Sequence, residues 1–224
     1  MKTIKAVVTG VRENTPTVKT ITLKPSEPVI FKPGQWIYVF ADNGRERVKR
    51  AYSIAAPPGE IKLCVKRVEG GFMSNLLCNV KKNDTLEIAG PFGAFTLGNV
   101  QGDVAFVATG TGIAPFMSML PTLAKNDYKC KVTVIFGART KDEILYEDEM
   151  KEFSKRMNVE FVPVLSREPA WNGEKGHVQD VIIKKLNTDC DIYVCGLMQM
   201  VTDVRKLLEE KGFDRKRIHF ENYI

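Results

Sequence analysis

The sequence lacks the cysteine spacing that disulfide frameworks and metal sites require. Its five cysteines lie far apart, their number is odd, and no two of them form a C-x-x-C pair. They are Cys64, Cys78, Cys130, Cys190 and Cys195. The sequence therefore predicts neither a disulfide framework nor a zinc or iron–sulfur site, and we expect no bound metal.

A secretory signal and a membrane anchor are also missing. The first residues, Met1 to Lys5, do not lead into the apolar stretch that a signal peptide contains. The longest uncharged run, residues 104–124, is about as long as a membrane span, but two glycines and two prolines divide it. We interpret that run as strand, turn and helix, and we expect a cytoplasmic protein without a membrane span.

Length and composition are those of a globular protein with two domains. The chain has 224 residues, which is long for one compact domain and sufficient for two. Its net charge of +6 favours encounter with anionic ligands and acidic proteins, or serves solubility alone. Lysine and arginine are spread along the chain without interleaved aromatic residues, so we expect no nucleic-acid partner.

Short β-rich segments fill the first half of the chain. The predicted strands are residues 6–11, 18–23, 36–40, 61–68 and 85–88. Turn residues stand between them, as in Pro33-Gly34 and Gly90-Pro91. Many short strands separated in this way predict an antiparallel β-barrel.

After residues 98–103 the pattern changes to strands that alternate with helices. The predicted strands are residues 104–108, 132–136, 159–165, 192–195 and 217–220. A helix is predicted where apolar residues recur at helical spacing, and a candidate capping box of Thr140 and Glu143 precedes it. Its periodic residues are Tyr146, Met150, Phe153 and Met157. This alternation predicts a doubly wound parallel sheet with ligands at the carboxyl ends of its strands. We assign residues 1–99 to the barrel domain and residues 100–224 to the α/β domain.

Two motifs in the first half combine anion-binding groups with an aromatic ring. Arg50-Ala51-Tyr52-Ser53 lies in an extended segment, which places Arg50 and Tyr52 on one face and Ser53 on the other. Gly71-Phe72-Met73-Ser74 is typical of a glycine turn that opens a short helix, whose free amides bind a pyrophosphate well. A flavin needs such a phosphate site together with a flat surface for its ring. Taken alone, each motif is better explained as an ordinary strand or a capped helix.

The second half carries a glycine turn of its own. Gly110-Thr111-Gly112-Ile113-Ala114-Pro115 follows an apolar strand and opens a helix, which is the context of a phosphate-binding turn. Glycine permits close backbone approach, and proline suits a first helical turn. The motif differs from G-x-G-x-x-G because Pro115 takes the last position, and no Gly-Lys follows as in a Walker loop. A tight turn without a ligand is the alternative.

Six signatures in this order and spacing resemble the ferredoxin–NADP reductase superfamily, and the resemblance covers nearly the entire chain. They are residues 31–36, 50–53, 71–74, 90–95, 110–115 and 195–200. The resemblance implies a flavin-binding barrel at residues 1–99 and an NAD(P)-binding domain at residues 100–224. No C-x4-C-x2-C run is present, so the resemblance does not extend to relatives with an iron–sulfur domain.

The resemblance also implies roles for residues of the first half. It puts Arg50 on the pyrophosphate, Tyr52 against the flavin, Ser53 near the reactive nitrogen of the flavin, and Ser74 with neighbouring amides on the phosphates. The remaining cofactor-binding residues that it implies here are Ala51, Gly71, Phe72 and Met73. FAD is the usual cofactor of the family, and FMN occurs in some relatives.

In the second half the resemblance points to Cys195. In the family this cysteine lies beside the nicotinamide and helps to bring the hydride-donor carbon to the flavin, whereas a lone cysteine is more often a small core residue. The resemblance implies no acid–base dyad for hydride transfer. The other nucleotide-binding residues that it implies are Thr109, Gly110, Thr111, Gly112, Ala114, Pro115, Arg139, Gly196 and Met200.

The choice of nucleotide depends on Ser166, Arg167 and Lys175. A 2′-phosphate calls for cationic and hydroxyl groups, whereas NAD-specific proteins place an acidic residue on the ribose. These three residues resemble the 2′-phosphate set of plant-type NADPH enzymes, with His177 where those have tyrosine. We therefore favour NADPH over NADH; solvated loop charges are the alternative for Arg167 and Lys175.

The chain ends in Glu221-Asn222-Tyr223-Ile224. An E-x-Y ending resembles the plant-type reductases, where a terminal aromatic covers the flavin and moves to admit nicotinamide. We place Glu221 and Tyr223 with Ser53 and Cys195 in the candidate catalytic set. Tyr223 is either such a lid or only the edge of the last strand.

The resemblance implies a flavoenzyme that transfers hydride between NADPH or NADH and bound FAD. Electrons would be exchanged with a separate acidic protein such as a ferredoxin or flavodoxin, for which Arg45, Arg47, Lys49, Lys66 and Arg67 are a candidate docking patch. The alternative is a subunit of a larger redox complex that relays electrons or binds nucleotide and has no turnover alone.

Overall fold

The computed structural model describes residues 1–223. By their internal contacts these residues form two compact units. The first contains Met1–Leu97 and Ala114–Thr122, and the second contains Gly98–Ile113 and the described residues from Leu123 onward. The Gly110–Pro115 motif is thus shared between them, with Ala114 and Pro115 in the first unit. The domain boundary at residues 99 and 100 remains our proposal.

The first unit is built on a six-stranded antiparallel sheet and one helix. Its elements are β1 (Ile4–Thr15), β2 (Val18–Pro25), β3 (Trp36–Asp42), β4 (Arg47–Ser53), β5 (Ile61–Lys66), α1 (Phe72–Asn79) and β6 (Thr85–Phe92). The strand order is β4-β3-β6-β1-β2-β5, and a bridge between Ile54 and Leu63 joins the two ends of the sheet. Closure of this kind leaves few free strand edges. The predicted antiparallel barrel is confirmed.

Alternation along the strands fills the barrel core. In β3, Ile37 and Val39 are fully buried, whereas Trp36 and Tyr38 lie on the other face. The helix α1 adds Met73 to the same core. The predicted strand at residues 61–68 ends earlier than expected, because β5 stops at Lys66.

The second unit holds a parallel sheet. The strands and α-helices after β6 are β7 (Val104–Thr109), α2 (Phe116–Lys125), β8 (Val132–Ala138), α3 (Glu147–Arg156), β9 (Val159–Leu165), β10 (Glu174–Lys175), α4 (Val178–Lys185), β11 (Asp191–Leu197), α5 (Met198–Glu210) and β12 (Ile218–Tyr223). Helix α2 begins in the first unit. The sheet order is β10-β9-β8-β7-β11-β12, with all pairs parallel. The predicted parallel α/β sheet is confirmed.

The order of these strands determines where a ligand fits. From β7 the chain proceeds to β8 and β9 on one side, and it then returns to the other side of β7 to form β11 and β12. The direction therefore reverses between β7 and β11, and open α/β sheets bind ligands at the carboxyl ends next to such a reversal. No helix of residues 1–223 is long and apolar enough to span a membrane.

The predicted capping box at Thr140 and Glu143 is wrong. Thr140 makes no side-chain capping bond, and Glu143 instead accepts a hydrogen bond from the backbone N–H of Arg139 at 3.1 Å. Helix α3 begins only after Tyr146, which has a left-handed backbone with φ of 58°. Leu145 and Tyr146 are buried, which anchors this segment before the helix starts. Such burial depends on tertiary contacts, so the spacing of a local motif does not predict it.

Candidate functional site

The turn in front of α1 is closed by the hydroxyl group of Ser74. This hydroxyl accepts a hydrogen bond from Val68 N–H at 3.1 Å and donates one to the Gly71 carbonyl at 3.2 Å. Gly70 has a positive φ of 69°, a conformation that favours glycine. A Cβ at Gly71 would lie 2.7 Å from Ser74 Oγ. The turn therefore requires glycine at position 71 and holds the start of α1 in one place.

Free backbone amides point out of this helix end. The first bond of the α1 ladder runs from Asn75 N–H to the Gly71 carbonyl at 3.1 Å, so the amides of Phe72, Met73 and Ser74 precede it. Among the described residues, no side chain caps them. Such a terminus attracts an anion through its amides and its dipole.

Arg67 fixes α1 from its other end. Its guanidinium donates to Asn75 Oδ1 at 3.0 Å, to the Cys78 carbonyl at 3.3 Å and to Asn79 Oδ1 at 3.0 Å. Asn75 in turn donates to the Val68 carbonyl at 2.8 Å. Arg67 therefore positions the helix through hydrogen bonds to neutral acceptors, and its place in the docking patch stays a prediction.

Strand β4 places a cation and a phenol near the same helix. Arg50 is exposed and, among residues 1–223, donates only to the neighbouring Lys49 carbonyl, at 2.9 Å. Tyr52 is half-buried against the barrel core, and its burial, with a smaller effect of Cys78 on α1, raises the pKa of Tyr52 to about 12. The hydroxyl of Tyr52 is therefore protonated at neutral pH. Ala51 is exposed, and Ser53 is buried at the end of β4.

These features fit a cofactor that carries phosphates and a flat ring. The helix amides and the exposed Arg50 guanidinium supply anion-binding groups. Tyr52 supplies an aromatic surface beside them. The sequence-predicted residues of the first half thus lie on β4 and on α1 with its preceding turn, and these two elements contact each other.

In the second unit the end of β7 lies against the end of β11. A Cβ at Gly112 would overlap the Cys195 carbonyl oxygen and lie 2.6 Å from the carbon of that carbonyl and 2.7 Å from Gly196 Cα. All three atoms belong to the backbone, which has little freedom to move away. Glycine at position 112 is therefore required for the glycine turn to approach β11.

The Thr109 hydroxyl has no protein partner in this contact. Its Oγ1 is buried and makes no hydrogen bond within residues 1–223. Gly196 has φ of 154°, and a Cβ there would overlap this hydroxyl and lie 2.8 Å from Met200 Cε. A buried hydroxyl without a partner is costly, so this group favours a polar ligand at the carboxyl ends of β7 and β11.

Cys195, Glu221 and Tyr223 lie on adjacent strands. Cys195 is fully buried, and burial, reinforced by the Glu221 carboxylate, raises the pKa of its thiol. The Tyr223 hydroxyl faces this thiol and donates to the Thr111 carbonyl at 3.4 Å. Tyr223 pairs with Leu197 as the last residue of β12. It is therefore a strand residue whose hydroxyl reaches the glycine turn.

Burial of Cys195 has a testable consequence for its reactivity. Because the thiolate is the reactive form and both burial and charge disfavour it, we expect iodoacetamide at about pH 8 to spare Cys195 in the native protein. Cys130, which is only partly buried, should be labelled first. Peptide mass spectrometry reads the sites, and unfolded protein serves as the control that labels all five cysteines. Equal labelling of Cys195 and Cys130 in the native protein would contradict the buried position.

A second group of predicted residues meets at the ends of β8, β9 and β10. Ser166 N–H donates to the Ala138 carbonyl at 3.1 Å and Arg167 N–H to the Arg139 carbonyl at 2.8 Å. Lys175 pairs with Leu165, next to them in β10.

The cations of this group form no ion pair among the described residues. Arg139, Ser166, Arg167 and Lys175 are all exposed, and within the described chain no ion pair joins the three cations to a carboxylate. Lys175 Nζ donates to the Pro169 carbonyl at 2.8 Å. The cluster is suited to a phosphate group.

Two known protein families match the two halves of this chain. Residues 7–97 match the family described as oxidoreductase FAD-binding domain, and residues 106–206 match the oxidoreductase NAD-binding domain. A ferredoxin–NADP reductase B of Sorangium cellulosum (strain So ce56) is 34% identical over 98% of this chain and 97% of its own length. The chain belongs to the ferredoxin–NADP reductase family. It is an oxidoreductase flavoenzyme with FAD-binding and NAD-binding domains.

Two further similar proteins differ in how much of their own length this chain covers. The toluate 1,2-dioxygenase electron transfer component of Pseudomonas putida is 26% identical over 98% of this chain and 67% of its own length. A solved ferredoxin NADP+ reductase from Neisseria gonorrhoeae, with bound FAD and NADP, superposes with a TM-score of 0.86 over 99% of both chains. Its identity is 23%, so this likeness shows the fold alone.

Proposed function

We propose that this flavoenzyme oxidises NADPH in preference to NADH and passes the electrons to a separate acidic redox protein. The observation that carries the nucleotide choice is the exposed cluster of Arg139, Ser166, Arg167 and Lys175, whose cations form no ion pair among the described residues. A 2′-phosphate matches such a cluster, whereas a ribose hydroxyl calls for an acidic acceptor. His177 stands where plant-type enzymes have tyrosine, and it is exposed at the start of α4.

Each half-site has a distinct task in this proposal. Bound FAD supplies the hydride-accepting ring. Arg50 and the amides of α1 hold phosphates, and Tyr52 offers the ring a neutral aromatic surface. Catalysis by this protein is a matter of alignment, because the residues need only orient the reactants and exclude water.

Residues of the second unit would align the nicotinamide. The Thr109 hydroxyl, which has no partner among residues 1–223, would bond to the carboxamide of the nicotinamide. The close contact of Gly112 with Cys195 fixes the backbone beside that hydroxyl. The raised pKa of Cys195 keeps its thiol neutral, which suits a packing role rather than nucleophilic chemistry. Ser53, Glu221 and Tyr223 complete the candidate set.

The uneven charge of the chain supports an acidic electron partner. Residues 1–97 carry 15 Lys and Arg against 8 Asp and Glu, a net charge of +7, whereas residues 98–224 carry 18 against 19, a net charge of −1. The excess positive charge therefore lies wholly in the FAD-binding half. Of the candidate docking residues, Arg45 and Lys66 are exposed, while Arg47 pairs with Glu87. Complementary charge speeds such encounters at low salt.

An anaerobic reductive titration tests this function. The purified protein, reconstituted with FAD, should lose its visible flavin absorbance rapidly with stoichiometric NADPH and more slowly with NADH. A faster reaction with NADH would reject the nucleotide choice. A flavin that both nucleotides leave oxidised, but that dithionite reduces, would favour a relay subunit without turnover of its own.

A further inference from the structure

We propose that the side chain of Phe72 is the platform on which the adenine ring of FAD stacks. The proposal rests on the flavin site described above and deepens it, because it explains how the chain would select FAD over FMN.

Phe72 is unusual among the aromatic residues of the first unit. It is 38% exposed, whereas every other aromatic side chain of that unit among the described residues is buried or half-buried. A partly exposed ring at an anion-binding helix end is open to contact by the apolar part of a ligand. The ring is therefore a candidate contact for a ligand.

The core of the barrel does not require Phe72. Helix α1 is anchored by Met73, Leu77 and Cys78, which are 3%, 0% and 1% exposed. Phe72 takes no part in that cluster. Its position on the helix thus leaves the ring free to serve a ligand.

The location of the ring matches the covalent structure of FAD. Phe72 is the first residue of α1, so its own amide belongs to the free N-terminal set. Side chains on a helix tilt toward its N-terminus, which directs this ring toward the end where phosphates bind. In FAD a single ribose separates the adenine from the pyrophosphate, so the adenine must lie close to that helix end.

A second exposed apolar residue borders the same turn. Val68 is 55% exposed, and its carbonyl and Cβ lie 3.2 Å from the position of a Cβ on Gly71. Together Val68 and Phe72 flank the glycine turn with apolar surface. An aromatic face and an aliphatic edge beside an anion site are suited to an adenosine phosphate.

Binding measurements with two flavins test the proposal, because FMN lacks the adenosine part. Apoprotein with Phe72→Ala should bind FAD more weakly by roughly tenfold to a hundredfold, the range expected for loss of one stacking contact. Its affinity for FMN should equal that of the wild type. Phe72→Trp should retain tight FAD binding. Quenching of flavin fluorescence on titration with apoprotein gives both affinities without any turnover.

The outcomes separate failure of this proposal from failure of the flavin site. Equal loss of FAD and FMN affinity in Phe72→Ala would overturn the platform and assign Phe72 to the folding of α1. Unchanged FAD affinity would also overturn it. Wild-type apoprotein that binds neither flavin would reject the flavin site itself. Phe220→Ala, at a phenylalanine of similar exposure in the second unit, should change neither affinity.

Discussion

Replacement of Gly112 with alanine is expected to slow flavin reduction by NADPH by about 100-fold or more while FAD remains bound. The new Cβ would overlap the Cys195 carbonyl oxygen and lie 2.7 Å from Gly196 Cα. Since these are backbone atoms, the glycine turn or the end of β11 must move. A displacement of about 1 Å at a site that works by alignment costs roughly 100-fold in rate.

Anaerobic stopped-flow absorbance measures this effect directly. Dithionite should still reduce the variant's flavin at the wild-type rate, because the FAD-binding half is unchanged. Gly102→Ala is the matched control: it lies in the same unit, and a Cβ there meets nothing within 4 Å. Normal reduction of Gly112→Ala by NADPH would show that the contact between the glycine turn and β11 is unimportant for nucleotide binding.

Replacement of Arg167 with leucine should remove the preference for NADPH. If the guanidinium binds the 2′-phosphate, its loss removes about 2–3 kcal/mol of charge-assisted hydrogen bonding, or roughly 30- to 150-fold in kcat/KM for NADPH. The value for NADH should not change, because NADH has no 2′-phosphate. Steady-state reduction of an artificial acceptor such as ferricyanide gives both constants.

The comparison between the two nucleotides makes this test specific. Arg156→Leu, at an exposed arginine of α3, controls for loss of a positive charge elsewhere in the same unit. A parallel loss with NADPH and NADH in Arg167→Leu would indicate that Arg167 supports the loop rather than the phosphate. Wild-type protein that already prefers NADH would remove the basis of the prediction.

Much of the fold was predictable because its signals are local. The strands at residues 104–108, 132–136 and 159–165 all fall within observed strands, since buried parallel strands are continuous apolar runs. The predicted strand at residues 217–220 begins one residue late in the structure, because Arg217 closes a short 3-10 turn. The two-residue strand β10 carries no periodic signal and was not predicted.

The candidate sites were only partly predictable. The glycine motifs and Arg50 could be identified by residue type and spacing. The structure places the glycine motifs at the start of α1 and after β7, and Arg50 on β4. The hydrogen bonds of Arg67 to α1 could not be predicted, because the sequence does not distinguish an arginine that bonds to a helix from one that is solvated at a strand end. The capping box at Thr140 failed for a related reason: burial of Tyr146 competes with local capping.

The sequence by itself determined the kind of protein: a β-rich half, an α/β half, and the residue types that phosphates and flavins require. Those properties follow from hydrophobic period and turn chemistry, which act over a few residues. Only the tertiary structure decided that Gly112 touches Cys195, that the Tyr223 hydroxyl reaches Thr111, and that Phe72 stays exposed. These contacts join residues far apart in the chain, and strand order and register, rather than local preference, bring them together.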